Sequence, residues 1–170
     1  MFTVSMDIFS HGLWAGIGAE IIKRKKKKPL SIRLAMFWGV FPDLFAFTIP
    51  FLLLFWSGTF GYKISPQVWE ISHPLYNISH SLVTFAVVMA ALYLATRRIH
   101  LEMFGWLLHI LMDIPTHSYR FFPTPFLWPI SGFKFNGFSW GHPWFIALDY
   151  LLLAVVFLII KKSGRKPDSE

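Results

Sequence analysis

The sequence predicts an all-α polytopic membrane protein, a helical bundle of four or five spans, on three observations. Hydrophobic residues make up 55% of the 170, aromatic residues 19% and charged residues only 15%, with a mean hydropathy of +0.51. A soluble core of this length has no room for that much Phe, Leu and Trp, whereas a bilayer solvates it. The apolar residues also fall in long runs, and most basic residues sit beside the ends of those runs. Residues 1–170 therefore read as one integral membrane domain, with 161–170 as a basic cytoplasmic tail. There is no internal repeat, and no low-complexity segment apart from one lysine run.

Four segments, 34–56, 79–96, 101–118 and 143–160, are long and apolar enough to cross roughly 30 Å of hydrocarbon at about 1.5 Å per residue. A fifth, 7–22, is shorter, but its "GLWAGIGAE" stretch offers small residues for close helix packing, and the lysines after it read as a stop signal. It is not a standard signal peptide, because the positive charge follows the apolar stretch and no small-residue cleavage site is evident.

Orientation follows from the lysines and arginines. Segments 23–33, 97–100 and 161–170 carry thirteen of the sixteen, while loops 57–78 and 119–142 hold only Lys63, Arg120 and Lys134. The basic segments are expected in the cytoplasm, the two long loops outside and the C-terminus inside, with the N-terminus outside if 7–22 spans. The loops, rich in Pro, Gly, Trp and Phe, suit an interfacial cap at the headgroups. The net charge of +7 comes mostly from "KRKKKK" (23–28) and "KKSGRK" (161–166). Both abut spans, so membrane lipids are the expected partners and nucleic acid is not.

Ionisable residues inside a membrane are costly, so each needs a partner or a task. His109, Asp113 and His117 recur at i, i+4 and i+8 in "GWLLHILMDIPTH", which gives one polar stripe on a helix, with Pro115 breaking the helix before His117. An H-x-x-x-D pair presents an imidazole and a carboxylate to one divalent ion. "SHGLW" supplies His11, "FPDLF" supplies Asp43 beside Pro42, and "NISHSL" supplies His80 at the external start of its span. A single histidine in an apolar helix is accounted for by an interhelical hydrogen bond. Five or six such groups together are too costly for packing alone, which points to a divalent metal, zinc foremost, held by His11, Asp43, His80, His109, Asp113 and His117. Asp43 reaches the others only if its helix is broken or tilted at Pro42. The absence of cysteine excludes thiolate ligands, disulfides and cysteine nucleophiles. His73, His100 and His142 fall in loops or at span ends, where a solvated role suffices, and Asp149 is a candidate to sit behind the ligands.

The ordered set "SHGLW", "FPDLF", "ISHSL", "GWLLHILMDIPTH" and "LWP", over roughly residues 7 to 130, resembles the membrane-bound metal-dependent hydrolase family, inner-membrane proteins some of which are described as LexA-regulated. That family is in turn distantly similar to the all-helical zinc-dependent phospholipase C and P1 nuclease group, whose metal clusters use His and Asp, including an H-x-x-x-D pair. The resemblance implies a phospholipase C-like metal site in the inner membrane, with ligand roles for His11, Asp43, His80, His109 and Asp113. His117 stands where family members often carry Thr or another polar residue. "HPLYNISHS" departs from the family's "HRGxTHS", with His73 displaced and the arginine absent.

The expected activity is metal-dependent hydrolysis of a phosphoester or other lipid-like substrate at an external-side cavity, with Asp43 or Asp113 as the catalytic carboxylate that takes the proton from water. The alternative is a transporter or channel-like protein that passes protons or metal ions along the same stripe, which inverted repeats would favour and which this sequence lacks. A di-iron oxygenase ranks last, since its histidines cluster more densely.

Overall fold

A computed structural model of the chain describes residues 7–27, 29–56, 66–120 and 122–163. Helix α1, Ile8–Lys26, begins where the Asp7 carboxylate accepts the Ser10 amide at 3.1 Å, and ends where Lys27 turns left-handed at φ 49°. Helix α2, Ile32–Trp56, runs unbroken through Pro42 and Pro50. Helix α3, Pro66–Ser79, opens on a proline, whose missing N–H costs nothing in a first turn. Ser81 then caps α4, Leu82–Thr96, accepting the amides of Val83 and Thr84 at 3.1 Å each. A 3₁₀ turn, Leu101–Met103, leads into α5, Phe104–Thr116, and α6 is Pro143–Ser163.

Every regular element among the described residues is helical. Two helices, Ile32–Trp56 and Pro143–Ser163, are long and apolar enough to cross a membrane, and the pair Trp69–Ser79 and Leu82–Thr96, bent by 56°, makes a third if it forms one span. The segment expected to cross at 101–118 holds the 3₁₀ turn and the 13 residues of α5, the latter about 20 Å of helix. The segment expected as an external loop at 57–78 is helical from Pro66 onward, and its first part, 57–65, lies outside the described residues. Aromatic and proline-rich composition suits a half-buried helix as well as a cap, which is why composition misread it.

The centre of the bundle is where α1, α2 and α5 cross, and small residues make the crossing. A Cβ on Gly39 would lie 2.6 Å from the Ala15 Cβ and 2.7 Å from the His11 carbonyl oxygen. One on Gly105 would strike the Ala35 carbonyl and come within 2.9 Å of the Gly39 nitrogen. Backbone meets backbone there, as the small residues of α1 lead one to expect.

Hydrogen bonds give the helix directions. Ser10 and Trp14 of α1 bond Asp149 of α6, and Arg24 donates to the Ile160 carbonyl at 2.6 Å, so α1 and α6 run parallel. The Ser31 amide reaches Glu102 at 3.2 Å. The basic ends of α1 and α6 and the turns before α2 and α5 thus share one end of the bundle. At the other end, segment 137–140 straps the terminus of α5: the amides of Gly137, Phe138 and Trp140 donate to the carbonyls of His117, Pro115 and Thr116 at 2.8, 2.8 and 3.1 Å. Those carbonyls lack partners within the helix. Any side chain at Gly137 would collide with the Pro115 carbonyl.

Candidate metal centre

Each histidine of the cluster is aimed by the nitrogen that faces away from it. The carbonyl of Asp7, one turn back at the cap of α1, accepts His11 Nδ1 at 3.2 Å. The Gly39 carbonyl accepts His109 Nδ1 at 2.7 Å, a reach that the glycine crossing of α2 and α5 makes short. At the bend between α3 and α4, His80 Nδ1 lies 2.9 Å from Ser79 Oγ, whose hydroxyl donates onward to the Tyr76 carbonyl at 3.5 Å. Carbonyl oxygens only accept, so in the neutral rings Nδ1 carries the hydrogen and Nε2 keeps a lone pair. A hydrogen-bonded Nδ1 and a bare Nε2 are how metal-binding imidazoles are held.

The three Nε2 atoms and two carboxylates converge. His80 Nε2 is 3.1 Å from His109 Nε2, and both are 3.3 Å from Asp113 Oδ2. His11 Nε2 is 3.0 Å from Asp113 Oδ1, while Asp43 Oδ1 is 3.4 Å from His80 Nε2 and 3.7 Å from His109 Nε2. His80 and Asp113 are 0% and 1% exposed, so water does not screen these groups from one another. Lone pairs and carboxylates facing each other at such distances repel unless positive charge sits among them, as a bound cation or as a proton on an imidazole. Two ligands about 2.0–2.2 Å from one ion stand roughly 3–3.6 Å apart at octahedral to tetrahedral angles, close to the separations found. His11 Nε2 and Asp113 Oδ1, 3.0 Å apart, make no well-directed hydrogen bond, which leaves both atoms available to a cation.

Two overlapping triads, His11–Asp43–His109 and His80–His109–Asp113, keep their ligand atoms within 4.8 Å of one another. They share His109, so they are two views of one cluster. The donor set of imidazole nitrogens and carboxylate oxygens fits a divalent ion, with zinc among those it suits.

The cluster draws on α1, α2, the α3–α4 bend and α5, and five of the six residues singled out from the sequence form its core. Asp43 reaches it from a helix that is continuous across Pro42. His117 is different. As the extended residue that ends α5, at φ −108° and ψ 141°, it turns Nδ1 to the Asp113 carbonyl at 3.3 Å and the Asp113 carboxylate at 3.4 Å. Its Nε2 is buried without a partner, so it leans on Asp113 from the rim. His73 and His142 are exposed and His100 pairs with Thr96 at 3.2 Å; none joins the cluster. Asp149 does not sit behind a ligand ring. It accepts from Ser10, next to His11, and, at 2.8 Å, from Trp14, three residues on.

Sequence reading passed over Asp7, Gly39 and Ser79, which orient the rings. Asp7 carried a signal, an N-cap residue three before Ser10; the other two act through a backbone carbonyl and a common hydroxyl and carry none. Beside the cluster, α1, α5 and α6 enclose a half-open cavity of about 430 Å³ with His11 in its wall. Comparison with family models, curated proteins and solved structures gives no match.

Proposed function

We propose that the chain is a membrane-embedded metal-dependent hydrolase acting on phosphoester or lipid-like substrates, as its resemblance to the membrane-bound metal-dependent hydrolases implies. The observation that carries the reading is the 3.1 Å approach of His80 Nε2 to His109 Nε2, with both Nδ1 atoms engaged elsewhere and two carboxylates alongside. His11, His80, His109 and Asp113 are the residues to hold a divalent ion, zinc foremost. When bound, such an ion supplies positive charge that polarises an ester oxygen and acidifies a water molecule. Asp113, approached by four imidazoles, is the holding carboxylate. Asp43, with the longer contacts of 3.4 and 3.7 Å, is assigned the proton from the attacking water.

In this reading α1, α2, α4, α5 and α6 make five passes, with the α5 pass completed by its 3₁₀ turn and the strap 137–140. The shared end of the bundle, which holds the basic segments, faces the cytoplasm, and the C-terminus lies there. The membrane is the inner membrane, on the family resemblance.

The test is metal analysis of detergent-purified protein, followed by assay on phospholipid and on a chromogenic phosphodiester. Wild type is expected to retain a stoichiometric divalent ion and to hydrolyse at least one substrate, and the His109→Ala, Asp113→Ala double variant to do neither. A metal-free wild type overturns the reading. Metal retention with ion uptake into liposomes and no hydrolysis turns it into a transporter.

A further inference from the structure

We propose that the cavity between α1, α5 and α6 holds the hydrocarbon chain of a membrane-resident amphiphile, whose polar group then lies at the His/Asp cluster. The chain enters sideways from the bilayer between α5 and α6. The inference rests on the hydrolase reading for what happens at the polar end; the chain site stands on the cavity's own walls.

Helix α5 turns Leu108, Leu111 and Met112 into the cavity, at spacings that put them on one stripe about a third of a turn from His109 and Asp113. The same short helix therefore offers ligands on one face and a hydrocarbon surface on the next. Phe145 and Ile146 of α6 form the opposite wall, and His11 of α1 joins the cavity to the cluster. An occupant that reaches from these walls to His11 is apolar along its length and polar at its tip.

Charge selects among occupants. The ionisable residues in the lining are Asp7, Asp149 and His11, with no Lys or Arg among the described residues there. Asp149 is taken up by Ser10 and Trp14, and Asp7 Oδ1 by the Ser10 amide and the Tyr150 hydroxyl. Such a wall repels an anionic headgroup, and its Ser10, Trp14 and Thr116 donors are already engaged, while an alkyl chain meets no penalty. Any anionic group must go instead to the cation-holding cluster, which sets the amphiphile's direction in the site.

The opening is built in. Helix α6 is tied to α1 at two heights, through Asp149 and through the Arg24–Ile160 bond, so it stands off from α5. Leu111, in the gap, is 48% exposed.

Photolabelling of the full chain tests this. The protein is reconstituted in phosphatidylcholine nanodiscs containing an analogue with a diazirine at the end of one acyl chain, irradiated, and its adducts mapped by mass spectrometry. Adducts on Leu108–Met112 and Phe145–Ile146 are expected to exceed those on Leu158 and Ile159 of outer α6 several-fold. The Leu108→Trp, Ile146→Trp variant, which fills the cavity, is expected to lose them while keeping its metal. Equal labelling of cavity and outer α6 in wild type overturns the proposal, and that map decides even if the variant fails to fold. Metal content measured on the same sample separates the two readings: cavity adducts on a metal-free protein remove the hydrolase and keep the chain site, and uniform adducts on a metal-bound protein do the reverse.

Discussion

Helices α5 and α6 are both strongly apolar, yet they occupy opposite places in the bundle. Helix α5 has 13 residues and buries Gly105, Trp106, His109, Ile110 and Asp113; α6 has 21 residues and buries only Leu153. In a bilayer, apolarity does not pull helices together, because lipid tails are as good a solvent as leucine. What draws α5 to the centre is a glycine that lets backbones touch and a polar stripe that must find partners. Helix α6 has neither: apart from Asp149 and Tyr150, the Trp144 and Phe145 rings on Phe138 and the bond at its far end, most of its side chains stay exposed. Hydropathy says whether a helix is accepted by a membrane; the placement of its few small and polar residues says whether it is the axis or the wall.

The sharpest way to break the contrast is to spoil the axis. Gly105→Val pushes a side chain into the Ala35 carbonyl and is expected to cost about 3 kcal/mol, the upper end of overpacking, lowering the melting temperature and releasing the metal together. A wild-type melting curve would show that α5 does not depend on backbone contact. Next comes the layer behind the ligands. Ser79→Ala removes the acceptor for His80 Nδ1 and is expected to weaken metal affinity roughly 10- to 100-fold with little change in melting of the metal-free protein. Competition with a metal chelator measures it, and an unchanged affinity would place the control of His80 elsewhere. The smallest effect belongs to α6: Leu158→Ala, at a side chain 61% exposed, is expected to shift stability by no more than about 0.5 kcal/mol. A larger loss would mean that something in the assembly covers this face.

The residues of the cluster were legible in the sequence because each is expensive in an apolar run, and an expensive residue stands out without any knowledge of the fold. His109 and Asp113 stood out twice, since helical spacing put them on one face. The convergence of His11, Asp43 and His80 on them followed from cost alone and holds in the structure. The shape of α5 did not follow: Leu101–Met103 winds as a 3₁₀ turn, and the strap takes the carbonyls of Pro115, Thr116 and His117, so the α-helix is shorter than the expected span. Helix α3 hid for the opposite reason, with its prolines and aromatics reading as a loop. The acceptors behind the rings were invisible because a backbone carbonyl at Gly39 is positioned by packing and has no sequence signature.

The cluster takes one residue from near the start of the chain and its last two from α5, and that order has a consequence for biosynthesis. A chain that folds as it is made offers His11 and Asp43 to the bilayer before His80, His109 and Asp113 exist. Asp43 gains His80 when the α3–α4 bend is made, but His11 waits for Asp113 of α5, and until then α1 and α2 meet through close contacts such as Gly39 on Ala15. Arrival of α5 completes the proposed ligand set, through which one ion would join α1, the α3–α4 bend and α5, and α6, added last, fastens onto α1 through Asp149. Under the proposed metal-binding reading, metal supply during synthesis would act as a checkpoint on membrane assembly, with a cell short of the ion accumulating unfinished bundles rather than inactive finished ones.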